Sequence, residues 1–97
     1  MTGERMVKTK VKNVLSEFEP IYNFWPVQMG YGATTIDYVG CYRGKFIGIE
    51  TKRPGKVPTP NQERVLREIK EAGGAGFVID DVNDPRFKDL RDFMRSL

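Results

Sequence analysis

The sequence predicts an α/β sandwich around a mixed sheet, with its elements in the order α-β-β-β-α-β-α. Three observations lead there. Val7, Val11, Val14, Leu15 and Phe18 recur at helical spacing near the start. Two strand-like runs, Thr34 to Tyr42 and Lys45 to Lys52, flank a tight Arg43-Gly44 turn. A capped helix beginning near Thr59 then leads to a short apolar strand, Ala75 to Ile79.

Taken in order, residues 3–18 form an amphipathic helix that Pro20 ends. Ile21 to Met29 is aromatic and apolar and reads as a strand, with Pro26 marking an edge position or a bulge. Gly30-Tyr31-Gly32-Ala33 is a loop, and the hairpin of the two middle strands follows. Arg53 to Pro60 carries three prolines and a glycine and reads as a second loop. Thr59 is the N-cap of the next helix, Pro60 its first residue, and Gln62 completes a capping box. Val65, Leu66 and Ile69 give that helix an apolar face, and Gly73-Gly74 stops it. Asp84-Pro85 opens a last helix with Phe87, Leu90, Met94 and Leu97 on one side.

The 97 residues make a single domain spanning 1–97, so an active site has to sit on its one core or between two copies. No stretch approaches the roughly 20 apolar residues of a membrane span, and Met1 to Lys12 lacks a signal-peptide core, so a soluble, cytoplasmic protein is expected. One cysteine, Cys41, excludes an intrachain disulfide and a thiolate cluster, and reads as inert. The absence of histidine removes the usual general base, the histidine-dependent nucleophile pairs and nearly all zinc sites. Chemistry is left to carboxylates, lysine, hydroxyls and hard oxygen-bound metals. The net charge of +3 is modest, but Arg5, Lys8, Lys10 and Lys12 crowd one segment and Arg43, Lys45, Lys52, Arg53 and Lys56 another. Such patches suit a phosphate backbone or plain solubilisation. Trp25, Tyr31, Tyr38 and Tyr42 read as core or rim rather than as stacking platforms for bases.

The most unusual run is Phe46-Ile47-Gly48-Ile49-Glu50-Thr51-Lys52, an apolar strand ending in Glu-x-Lys. Residues two apart on a strand share a face, so Glu50 and Lys52 project together. With Tyr42 paired to Lys45, counting outward sets Asp37 opposite Glu50, with Cβ atoms about 4.5–5.5 Å apart. Two carboxylates at that separation repel, and a divalent cation between them removes the objection. Two carboxylates and an ammonium at a hairpin end suit phosphodiester hydrolysis. The backbone carbonyl of Thr51 points near such a metal as a further ligand.

Asp37…Glu50-Thr51-Lys52 resembles the signature of the PD-(D/E)xK nuclease superfamily. The run Lys52-Arg53-Pro54-Gly55-Lys56-Val57-Pro58-Thr59-Pro60-Asn61-Gln62 resembles one branch, the virus-type replication-repair nuclease (VRR-NUC) domain, over about Glu4 to Asp80. Ile36 stands where that pattern usually has proline. The resemblance implies a restriction-endonuclease-like αβββαβ core with a C-terminal helix. It implies a Mg²⁺- or Mn²⁺-dependent, structure-specific DNA endonuclease, similar to Holliday-junction resolvases and acting as a homodimer on branched or double-stranded DNA. Small stand-alone members come largely from phages, which places such a protein in the bacterial host cytoplasm. By the same resemblance Asp37 and Glu50 are metal ligands, Lys52 is the catalytic lysine, and Gln62 is an active-site or supporting residue. An acidic residue of the first helix contributes as well, Glu4 by position, acting through water, with Glu17 in reserve. Lys8 and Lys12 of the first helix, with Arg53 and Lys56 of the loop, are the expected DNA contacts. Two other functions fit the same fold: a non-catalytic nucleic-acid-binding module, and an interaction subunit of a phage replication complex.

Overall fold

A computed structural model describes residues 3–27, 36–80 and 85–97. Its elements are α1 (Glu4–Leu15), β1 (Tyr22–Phe24), β2 (Tyr38–Tyr42), β3 (Lys45–Thr51), α2 (Pro60–Glu71), β4 (Ala75–Ile79) and α3 (Arg86–Arg95). The four strands form one sheet in the order β1-β2-β3-β4, antiparallel as far as β3 and parallel between β3 and β4. The expected α/β class, mixed sheet and C-terminal helix are therefore present. No helix among the described residues is long and apolar enough to cross a membrane.

The hairpin turns where the sequence indicates. Arg43 and Gly44 both have positive φ, at 50° and 80°, which makes a two-residue turn of the kind whose twist matches antiparallel strands. Tyr42 pairs with Lys45, and the ladder runs to Tyr38 opposite Ile49. Alternation along β3 sends Ile47 and Ile49 into the main core with Val7, Val11, Val14, Ile79, Leu90 and Met94. That core lies between the sheet and the α1/α3 layer.

The opposite face of β3 and β4 carries α2. Gly48 is required there. A Cβ at Gly48 would stand 2.6 Å from Ile36 Cδ1 and 2.7 Å from Ile69 Cδ1, so α2 seats only against a bare backbone. Gly48→Val is expected to overpack this contact and cost about 2–3 kcal/mol, read as a lower midpoint in urea unfolding.

The start of α2 is the expected capping box. Thr59 Oγ1 accepts from Gln62 N–H at 3.2 Å, and Gln62 Oε1 accepts from Thr59 N–H at 2.9 Å. Thr59→Ala is expected to lower stability by about 1 kcal/mol in the same measurement. Gly73, at φ 96°, ends the helix, and Gly74 N–H bonds back to Ile69 O at 2.8 Å.

Three boundaries differ from expectation. The first helix ends at Leu15 rather than residue 18. Ser16 Oγ donates to Asn13 O, and the chain tightens into three-residue bonds at Glu17 and Phe18, which keeps Phe18 buried. Of the described part of the strand expected over 21–29, pairing covers Tyr22–Phe24, and Trp25 beyond it packs on Tyr38, with ring centroids 4.9 Å apart, while Gln28 lies outside the described residues. Of the described part of the strand expected from Thr34, pairing covers Tyr38–Tyr42, with Ile36 and Asp37 outside the ladder. Met29, the Gly30–Ala33 loop, Thr34, Thr35 and Asp84 lie outside the described residues.

Candidate active site

Continuing the β2/β3 register by one step past Tyr38 and Ile49 sets Asp37 opposite Glu50, and side-chain contacts lock the two together. Asp37 N–H donates to Glu50 Oε1 at 3.0 Å. In return, Thr51 N–H and the Thr51 hydroxyl donate to Asp37 Oδ2 at 3.0 and 2.7 Å. Each carboxylate is thus aimed by backbone of the opposite segment. The remaining oxygens face ammonium groups. Lys52 Nζ lies 3.2 Å from Glu50 Oε2, and Lys8 Nζ lies 3.5 Å from Asp37 Oδ1.

Glu50 is only 1% exposed and Asp37 9%. Burial pushes the Glu50 carboxyl up to about 7, and the neighbouring Asp37 charge adds to the rise. The Lys52 ammonium and the Asp37 N–H pull it back without cancelling the effect. A carboxyl poised near neutrality in a structured site is a functional signal.

Two lysines stand beside the pair, so ammonium groups as well as a divalent ion can offset the repulsion between the carboxylates. Lys52 was visible in the Glu-x-Lys motif. Lys8, an expected DNA contact, stands beside the Asp37 carboxylate. Val7 and Val11 point α1 into the core, and Lys8, beside Val7, swings over the sheet end where Asp37 sits. Glu4 does not join them. Among the described residues no three carboxylate or thiolate side chains gather into a metal-holding group. The reserve, Glu17, is engaged elsewhere: Arg91 grips both its oxygens at 3.1 and 2.7 Å and holds its carboxyl below the usual range, tying the end of α1 to α3.

The other expected residues divide. Gln62 performs the capping box, and its Oε1 is committed to it. Lys12 stands over the Trp25 ring, 5.0 Å from the centroid. Arg53 and Lys56 bracket an exposed turn closed by Lys56 N–H to Arg53 O at 3.1 Å, with Gly55 at φ 86°. Tyr38 and Tyr42 are core residues, while Tyr31 lies outside the described residues. To the expected carbonyl of Thr51 the structure adds the two contacts that fasten Asp37, through its N–H and hydroxyl. The hydroxyl was a signal open to the sequence, since a buried threonine next to an acid needs a partner.

The donor set fits a hard divalent cation. Magnesium is commonly held by one or two carboxylates together with waters and phosphate oxygens. Among the described residues, Asp37 Oδ1 faces the Lys8 ammonium and Glu50 Oε2 the Lys52 ammonium. Compared with known proteins, the chain matches no family model and no curated protein.

Proposed function

We propose that the chain is a metal-dependent DNA endonuclease of the PD-(D/E)xK type, built on a restriction-endonuclease-like core and close in pattern to VRR-NUC domains. The observation that carries this reading is the locked Asp37–Glu50 pair beside Lys52. Two carboxylates share a buried strand end, with an ammonium 3.2 Å from the deeper one.

Asp37 and Glu50 would hold a magnesium or manganese ion between them. Such an ion supplies Lewis-acid polarisation of a phosphate oxygen and a more acidic water. Lys52 positions the attacking water and offsets charge that builds on the phosphoryl group. The water gives up a proton as its oxygen bonds to phosphorus, the bond to the 3′ oxygen breaks, and that leaving oxygen takes up a proton from solvent. Thr51 keeps Asp37 in place through both its donors. Lys8, once released from Asp37, moves to a phosphate. Arg53 and Lys56 extend the phosphate grip from their exposed turn. A chain this short covers little of a four-way junction, so a symmetric homodimer cutting opposed strands is the sensible working form.

One observation favours a non-catalytic nucleic-acid-binding module instead: Lys8 and Lys52 already neutralise both carboxylates. A single experiment separates the readings. Four-way-junction, flap and linear duplex DNA are incubated with the protein in Mg²⁺, Mn²⁺ and EDTA. Cleavage of branched DNA in either metal and none in EDTA supports the nuclease. Salt-sensitive binding without cleavage in any metal supports the module, and neither activity points to an interaction subunit.

A further inference from the structure

A second feature lies on the same sheet face as Glu50. Val78 of β4 is the register partner of Glu50, so the two stand on adjacent strands, about 4.8 Å apart. From Val78 a groove of about 450 Å³ opens beneath α2 and the proline-rich loop. That volume suits a small ligand or a single nucleotide and is far too small for a duplex.

The floor of the groove is aliphatic, made by Val57, Leu66 and Val78. Its walls are basic. Lys56 enters from the loop, Arg67 and Lys70 from α2. Lys70 lays its stem over the β4 backbone, where a Cβ at Gly76 would stand 3.1 Å from Lys70 Cε. Arg86 is also present but is engaged by Asp80 at 3.7 Å and by Val78 O at 3.1 Å. Arg67 also lies 3.8 Å from Glu71 at the rim, and among the described lining residues four cations face the two carboxylates Glu63 and Asp80. An aliphatic floor under a basic rim matches a base or sugar below and phosphates at the edge.

We propose that this groove takes an unpaired nucleotide of single-stranded DNA next to the bond to be cut. This deepens the nuclease reading and rests on it. The strand follows Lys56, Arg67 and Lys70 and delivers its neighbouring phosphate to the Asp37–Glu50 end of the sheet. The substrate class is then DNA with an unpaired stretch at a branch.

Fluorescence anisotropy in EDTA tests the groove apart from catalysis. The probes are a single-stranded oligodeoxynucleotide, a duplex carrying a single-stranded flap, and a blunt duplex. The double variant Arg67→Glu/Lys70→Glu is expected to weaken single-strand and flap binding by about tenfold or more and to lower the salt slope by about two. Blunt-duplex affinity stays within about twofold. Val57→Asp, on the exposed loop, gives the same pattern without removing a cation. Lys88→Glu on α3, away from the groove, leaves all three affinities unchanged. Equal loss on all three probes, unchanged single-strand binding, or an equal effect of Lys88→Glu overturns the proposal. Cleavage of a blunt-armed junction in Mg²⁺ by the double variant reports separately on the nuclease reading, because its carboxylates and Lys52 are intact.

Discussion

Lys52→Ala is expected to reduce single-turnover cleavage of branched DNA by about 10²–10⁴-fold while leaving DNA affinity within about threefold. The physical reason is where the ammonium stands. Its side chain is only 15% exposed and its Nζ lies 3.2 Å from Glu50 Oε2, so water cannot simply take its place. Its removal deprives the reaction of a fixed positive charge where negative charge builds. It also leaves Glu50 buried without its ion-pair partner, an arrangement more costly than the pair itself. Lys52→Arg retains the charge but spreads it over a planar group, so partial recovery is expected. Glu50→Gln combined with Lys52→Ala is expected to be hardly worse than either alone, because the two act as a unit. Wild-type cleavage rates in a well-folded Lys52→Ala protein would remove Lys52 from the mechanism and the nuclease assignment with it.

The part of this site that follows strand periodicity was legible in the sequence. Glu50 and Lys52 share a face because they are two apart, and Asp37 meets Glu50 because a two-residue turn at Arg43-Gly44 sets the register. The start of α2 was legible too, since a capping box is local chemistry. What stayed hidden depends on how layers pack. Lys8 meets Asp37 across 29 positions of sequence, through the packing of α1 against the sheet, which no spacing rule specifies. Glu17 meets Arg91 across 74 residues of sequence. The basic groove exists because the parallel β3–β4 connection sets α2 over β4, bringing Arg67 and Lys70 beside Lys56. Within the described residues the ladder stops short where side chains meet other partners, as Trp25 meets Tyr38 and Asp37 meets Thr51.

The second large effect concerns stability, pH and metal. With the Glu50 carboxyl raised from 4.5 to about 7, the folded protein keeps a proton that the unfolded chain has already lost between those pH values. The folded state therefore binds more protons in that window, and stability falls as pH rises through it. The full shift corresponds to about 3 kcal/mol, present below pH 4.5 and lost above pH 7. For a domain this size that loss lowers the thermal midpoint by about 10 °C or more. The expected result in EDTA is a lower midpoint at pH 8 than at pH 5, after the same comparison in Glu50→Gln is subtracted. Glutamine resembles the protonated acid and still accepts the Asp37 N–H, so the variant gives up the slope at little structural cost. Mg²⁺ or Mn²⁺ at 100 times its dissociation constant then restores about 2.7 kcal/mol to the wild type at pH 8, and nothing comparable to Glu50→Gln. If a cation binds between the two acids, the stability lost on ionisation is regained on binding, which is what these measurements test. Equal pH slopes in wild type and Glu50→Gln, with no response to either metal, would instead mark the pair as a lysine-neutralised structural contact.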